Sequence, residues 1–208
     1  AAMDELVAAL TAARNPALVV GPGVDRAGCV TLMVQLAERA KAGVWVSPFS
    51  ARCSFPERHP QFAGFLHAAP GQLSDALREH DLVVVVGAPV FTFHVEGHAA
   101  IFDGATTIFQ ITDDPDAAAM TPTGHSIVAT MKPALSALLE LLPETKRAAP
   151  AGRILPPAPA AGDPIPAEYA LHALSAAMGP HDALVEEVPS HRPLMQKAMP
   201  RSEEHTSE

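Results

Sequence analysis

The segment Leu82-Val83-Val84-Val85-Val86 sets the tightest limit on the fold, because five consecutive aliphatic residues leave no polar face. Such a run is too short for a helix, and its β-branched content favours a strand. A strand without polar alternation needs both faces covered, as in a parallel sheet held between two layers of helices. Gly87-Ala88-Pro89 closes the run and marks the strand terminus, at the edge where open α/β sheets place their ligands.

The flanking sequence repeats this alternation of helix and strand. Leu6, Val7 and Leu10 share one face of a first helix, and Ala17 to Val20 form a short apolar run that ends in Gly21-Pro22-Gly23. Val30, Met33, Val34 and Ala37 have helical spacing, followed by the strand Val44-Trp45-Val46. Residues 47–70 read as irregular, Gln72 to His80 as helical, and Thr107 to Ile111 and Ser126 to Ala129 as further strands. Asp113-Asp114-Pro115 is expected to be a turn that caps the Ala-rich segment after it. Leu135, Leu138, Leu139 and Leu142 give a last helical stripe, with Pro133 in the first turn where its missing N–H is no loss. Helices between strands imply right-handed βαβ units and a doubly wound, mainly parallel sheet with helices on both faces.

The expected domains are residues 1–145 for this α/β unit, 146–165 for a Pro- and Ala-rich linker, and 166–200 for the beginning of a second, truncated α/β domain. In that second part Leu171, Leu174 and Met178 share a helix face, and Ala183 to Val188 reads as a strand. One helix and one strand do not enclose a core. Residues 201–208 carry no hydrophobic side chain and are expected to be a non-native tail, similar to a translated sequencing adapter.

A formal net charge of −9 with no basic stripe argues against nucleic acid as a partner. No apolar run approaches the ~20 residues of a membrane span. The two cysteines, Cys29 and Cys53, have no CxxC spacing, which suggests a reducing, cytoplasmic setting.

Several motifs invite a chemical reading and resist it. Gly21-Pro22-Gly23 begins a dinucleotide fingerprint, but the third glycine is replaced by Arg26 and Pro22 removes an N–H, so a plain strand-to-helix turn is expected. His94 and His98 stand four apart, yet Gly97 weakens any helix there and no HExxH pattern exists, so no metal site is expected. His94 keeps its interest because it follows a buried strand's carboxyl end. No GxSxG serine occurs.

Four strings carry a resemblance. Asn15-Pro16-Ala17-Leu18-Val19-Val20-Gly21-Pro22-Gly23-Val24-Asp25 resembles the opening of the central domain of thiamine diphosphate-dependent decarboxylases and acetohydroxyacid synthases. Val44-Trp45-Val46-Ser47-Pro48, Arg52-Cys53-Ser54-Phe55-Pro56-Glu57-Arg58-His59-Pro60 and Val85-Val86-Gly87-Ala88-Pro89-Val90-Phe91, running on to His94, are similar to the benzoylformate decarboxylase-like members of that family. The likeness extends over residues 1 to about 196.

The resemblance implies a three-domain, homo-oligomeric enzyme (dimer or tetramer) that uses thiamine diphosphate and Mg2+ to decarboxylate a 2-oxo acid. This chain would be the central domain with the start of the diphosphate-binding domain, a fragment inactive by itself and unable to bind the cofactor tightly. The cofactor carries the carbon–carbon cleavage, while protein groups orient it and move protons. His94 falls where such enzymes place a proton-handling histidine. Pro189 and Ser190 fall where a threonine-serine pair contacts the diphosphate; Ser190 keeps a hydroxyl, whereas Pro189 can donate nothing. The pyrimidine-activating glutamate and the Mg2+-binding Gly-Asp-Gly are expected outside this chain, and Gly-Asp-Gly does not occur in it. The alternative is an FAD- or NAD-binding, or purely structural, central domain of an acetohydroxyacid synthase-like enzyme.

Overall fold

The computed structural model describes residues 2–154, 157–179, 181–182, 184–187 and 190–200. It divides into two compact units, residues 1–153 and 154–208.

The first unit is built on six parallel strands: β1 (Pro16–Val20), β2 (Gly43–Val46), β3 (Phe62–Phe65), β4 (Leu82–Val86), β5 (Thr107–Thr112) and β6 (His125–Val128), in the order β3-β2-β1-β4-β5-β6. The chain starts at the centre, winds out to β3, returns beside β1 as β4, and winds out again to β6. The topological switch therefore lies between β1 and β4, whose register sets Val19 beside Val85. All five residues of β1 and all five of β4 are buried, the arrangement demanded by their unbroken apolar runs.

Side-chain parity sorts the core onto two faces. Leu18, Val20, Val44, Val46, Val84, Val86 and Ile111 meet α1 (Ala2–Ala12), α3 (Val30–Ala40) and α6 (Met131–Leu141) through Leu6, Leu10, Met33, Leu36, Leu135 and Leu138. Ala17, Val19, Val83, Val85 and Ile108 meet α4 (Pro70–Leu77) and the 3-10 turn Ala100–Phe102 through Leu73, Leu77 and Ile101. Each such leucine, fully buried, contributes about 1.5–3 kcal/mol. The short helices α2 (Pro22–Arg26) and α5 (Pro115–Ala119) complete the connections; the Asp114 carboxylate accepts from the Asp116 and Ala117 amides and starts α5.

One strand departs from the sequence reading. Residues 62–65 lie in the stretch expected to be irregular, yet Phe62 pairs with Val44 and Phe65 with Val46. The strand is four residues long, carries Gly64 at φ 144°, and pairs with a register shift, so it has neither the length nor the pattern of an autonomous strand. Pairing with β2 and burial of Phe62 hold it in place.

Residues 147–153 continue to pack on this unit after α6. The Arg147 guanidinium donates to the carbonyl oxygens of Leu10 (2.9 Å), Ala13 and Ala40, where α1 and α3 end. Arg153 lies 5.0 Å over the Phe62 ring.

The second unit contains α7 (Ala167–Ala177) and α8 (Arg192–Ala198), which contact each other. The expected strand at Ala183 to Val188 is absent where it can be judged: residues 184–187 have no strand pairing, Val185 is 92 % exposed, and the two end residues lie outside the described set. A strand needs a neighbour for its backbone groups, and none is offered among the described residues. No helix among the described residues is long and apolar enough to cross a membrane.

Candidate functional site

Because all six strands are parallel, their carboxyl ends share one edge. There the β1 and β4 exits lock together. The Gly21 amide donates to the Val86 carbonyl (2.9 Å), the Gly23 amide to Gly87 (3.0 Å), and the Val24 amide back to Gly21 (3.1 Å). A Cβ on Gly21 would stand 2.4 Å from the Ala88 Cβ, and one on Gly23 would stand 2.8 Å from the Gly87 Cα. The glycines thus serve close loop packing, and the amides that a phosphate would require are already given to protein carbonyls.

From this lock the chain crosses the edge toward β3. Gly87 takes a left-handed φ of 66° while its amide donates to Ile111 (2.9 Å). Val90 is buried, and Phe91 and Phe93 pack on the α4-side core, which turns the alternate residues Thr92 and His94 outward. The His94 amide then donates to the Ala68 carbonyl (3.1 Å), fixing the far end beyond β3. The His94 imidazole is exposed, and the Phe49 ring stands against it edge-on, with centroids 6.0 Å apart and planes at 81°.

Phe49 escaped the sequence reading, and Ser47 entered it only within the Val44 to Pro48 string. Phe49 holds a left-handed φ of 59° and is 54 % exposed, a strained position for a bulky residue. The Ser47 hydroxyl is buried with no hydrogen-bond partner among the described residues. Their one signal was a polar, proline-containing turn directly after β2, which also fits an ordinary connection.

The Arg52 to Pro60 string proves architectural. Arg52 pairs with Asp25 at 2.6 Å, the Ser54 hydroxyl donates to Gly21 (2.7 Å), and His59 accepts from the Gln61 amide (3.1 Å) while lying edge-on to Phe55. The first two contacts bind the long loop after β2 to the β1 exit, and the His59 contacts brace the loop on itself. His98 pairs with Asp103 (2.9 Å). Among the described residues no group of three His, Cys, Asp or Glu side chains converges as a metal site. Ser190 is exposed in the turn before α8 in the second unit, and Pro189 lies outside the described residues.

Known proteins share both this sequence and this architecture. A family pattern described as thiamine pyrophosphate enzyme, central domain, matches residues 3–138. The benzoylformate decarboxylase of Pseudomonas aeruginosa is 40 % identical over 185 residues, which is 88 % of this chain and 35 % of that protein. Its length is therefore spanned to about a third. The benzoylformate decarboxylase of Polynucleobacter necessarius superposes with a TM-score of 0.89 at 31 % identity, over 99 % of this chain and 39 % of the other. The 4-hydroxybenzoylformate decarboxylase of Rhodococcus jostii, which is thiamine diphosphate-dependent, gives 0.86 at 33 % identity over 99 % and 39 %. With the central-domain pattern spanning most of the first unit and a benzoylformate decarboxylase as a homologue, the chain belongs to the thiamine pyrophosphate-dependent enzymes.

Proposed function

We propose that this chain supplies the central domain of a decarboxylase that converts benzoylformate to benzaldehyde and CO2. The supporting observation is an exposed His94, carried to the carboxyl edge by a folded-over loop, in a chain 40 % identical to a benzoylformate decarboxylase. When bound, thiamine diphosphate supplies the electron sink for carbon–carbon cleavage. The work of this chain is to present His94 so that its imidazole holds and moves a proton at the reacting group. Imidazoles exchange protons near neutrality, where a lysine would keep its own.

The described residues fit a contributing part in cofactor binding. His94 and Ser190 both have exposed side chains, and the Ser190 hydroxyl is suited to donate to a diphosphate oxygen. Mg2+ and the aminopyrimidine are assigned to segments beyond the 208 residues. The proposal carries with it a cytoplasmic homo-oligomer acting on a 2-oxo acid, with neither nucleic acid nor membrane as partner. Dinucleotide binding at the β1–β4 switch has no comparable support, since the Gly21 and Gly23 amides already have acceptors.

The purified 208-residue chain, given thiamine diphosphate and Mg2+, is expected to release no benzaldehyde from benzoylformate. Residues 1–196, exchanged for their counterpart in the Pseudomonas aeruginosa enzyme, are expected to sustain turnover. In that chimaera His94→Ala lowers kcat about 100-fold, the ordinary scale of acid–base catalysis, with a much smaller change in KM. Unchanged kcat in His94→Ala would remove the proton-handling role.

A further inference from the structure

We infer that Gln110 is a positioning residue for His94: its buried carboxamide fixes the Ala88 carbonyl and, with it, the root of the loop that carries the imidazole. The functional weight of this inference rests on the proton-handling reading of His94; the structural part stands on the contacts below. Gln110 lies mid-strand in β5 between Phe109 and Ile111, and it is 0 % exposed. A leucine would fill such a place at no polar cost, whereas an unpaired buried amide costs about 1–3 kcal/mol.

What the amide provides is reach. Its Nε2 donates to the Ala88 carbonyl at 2.9 Å, and its Oε1 accepts from the Thr121 hydroxyl at 2.9 Å and the Ser126 hydroxyl at 2.7 Å. The β4–β5 ladder ends with the Gly87 amide on Ile111, so Ala88 is where the chain leaves the sheet. Beyond that point no backbone group of β5 holds Ala88, and the Gln110 side chain takes over the task of a ladder bond. On the opposite side Ala88 abuts Gly21, where a Cβ would stand 2.4 Å away. The root is thus clamped from β5 and from β1, and the next backbone anchor of the loop is the His94 amide on Ala68. Loss of the clamp removes the polar tie at Ala88 and leaves the root to the Gly87 bonds and the packing on Gly21, and catalytic geometry tolerates displacements of only about 1 Å.

Backbone amide hydrogen exchange on the 208-residue chain tests the clamp without any turnover. Gln110→Leu and Gln110→Met remove the polar bonds at similar volume. In either variant the Gly23 and His94 amides, which donate to Gly87 and Ala68, are expected to exchange about tenfold faster, while the Met33 and Leu142 helix amides stay unchanged. Ser126→Ala keeps the donor to Ala88 and leaves the Gly23 and His94 amides as in the parent chain. Undiminished protection of Gly23 and His94 in the Gln110 variants, equal acceleration of all four amides, or failure of both variants to fold would overturn the proposal. Because none of these readings involves catalysis, a clamp that passes this test alongside an active His94→Ala chimaera would fault the proton-handling role and leave the clamp standing.

Discussion

His80 shows how one side chain can tie the start of two strands to the pH of the medium. It is half-buried just before β4; its Nε2 lies 3.3 Å from the Trp45 indole Nε1 and its Nδ1 lies 3.0 Å from the Asn15 carbonyl. An indole N–H only donates, so Nε2 must accept and Nδ1–H must donate, which specifies the neutral ring and one tautomer. Burial is the main cause that lowers the pKa of His80, and it prevails over the Asn15 carbonyl and the Asp81 and Glu79 charges, which raise it. With a folded value below the unfolded one, near 6.5, the unfolded chain takes the proton first as pH falls. This contribution to stability is complete above the unfolded value and declines as pH drops through it. Urea unfolding at pH 7.5 and 5.5 is expected to show a larger loss for the parent chain than for His80→Gln; parallel losses would contradict the assignment. Gly21 makes a second demand of the same kind. Gly21→Ala forces a methyl against Ala88 and the Gly87 carbonyl and is expected to cost roughly 3 kcal/mol, the upper range for overpacking, measured as a lower urea midpoint.

At the scale of elements, legibility followed the strength of the local pattern. β1 and β4 were readable because a strand buried on both faces has to be apolar at every position, and α3 and α6 because their stripes repeat with helical spacing. Asp114-Pro115 announced the start of α5, since a side-chain cap and a proline in the first turn are local signals. β3 was hidden because pairing with β2, rather than its own four residues, makes it a strand. The candidate site was half legible. His94 could be singled out from its distance past β4 and from a family resemblance, whereas its bond to Ala68 joins segments 26 positions apart that share no periodicity. Phe49 gave no warning beyond the proline-containing turn in which it lies, because a left-handed φ is a consequence of the loop's path. Gln110 did carry a signal: a lone amide within Thr107-Ile108-Phe109-Gln110-Ile111 contradicts an otherwise buried strand, and such contradictions mark places where something besides packing is served.

For the molecule as a whole, composition and packing change at different places. Proline and alanine begin to dominate after Arg147, yet contacts to the first unit continue to Arg153. Arg147 accounts for much of that continuation. Its single guanidinium reaches the last carbonyls of α1 and α3, groups that have no intrahelical partner and carry the negative end of each helix dipole. Arg39 does the same for α6 by donating to Leu139 (3.0 Å) and Leu142 (3.2 Å), so three helices that cover one face of the sheet end under cationic caps. Hydrogen bonds from a charged donor contribute about 1.5–3 kcal/mol where they are partly buried, and the geometry needs a planar fork with several N–H groups. Arg147→Ala is therefore expected to lower the stability of the first unit by about 2 kcal/mol, and Arg147→Lys to recover only a minor part, because one ammonium cannot span carbonyls on two helices. The same reasoning sets where the cooperative unit ends. A chain stopped after Arg153 is expected to unfold at the urea midpoint of residues 1–153 in the parent, and a chain stopped after Thr145 to match the Arg147→Ala deficit or exceed it. Equal midpoints for the two shortened chains would show that residues 146–153 merely lie on the surface and that the helix ends are satisfied by water instead.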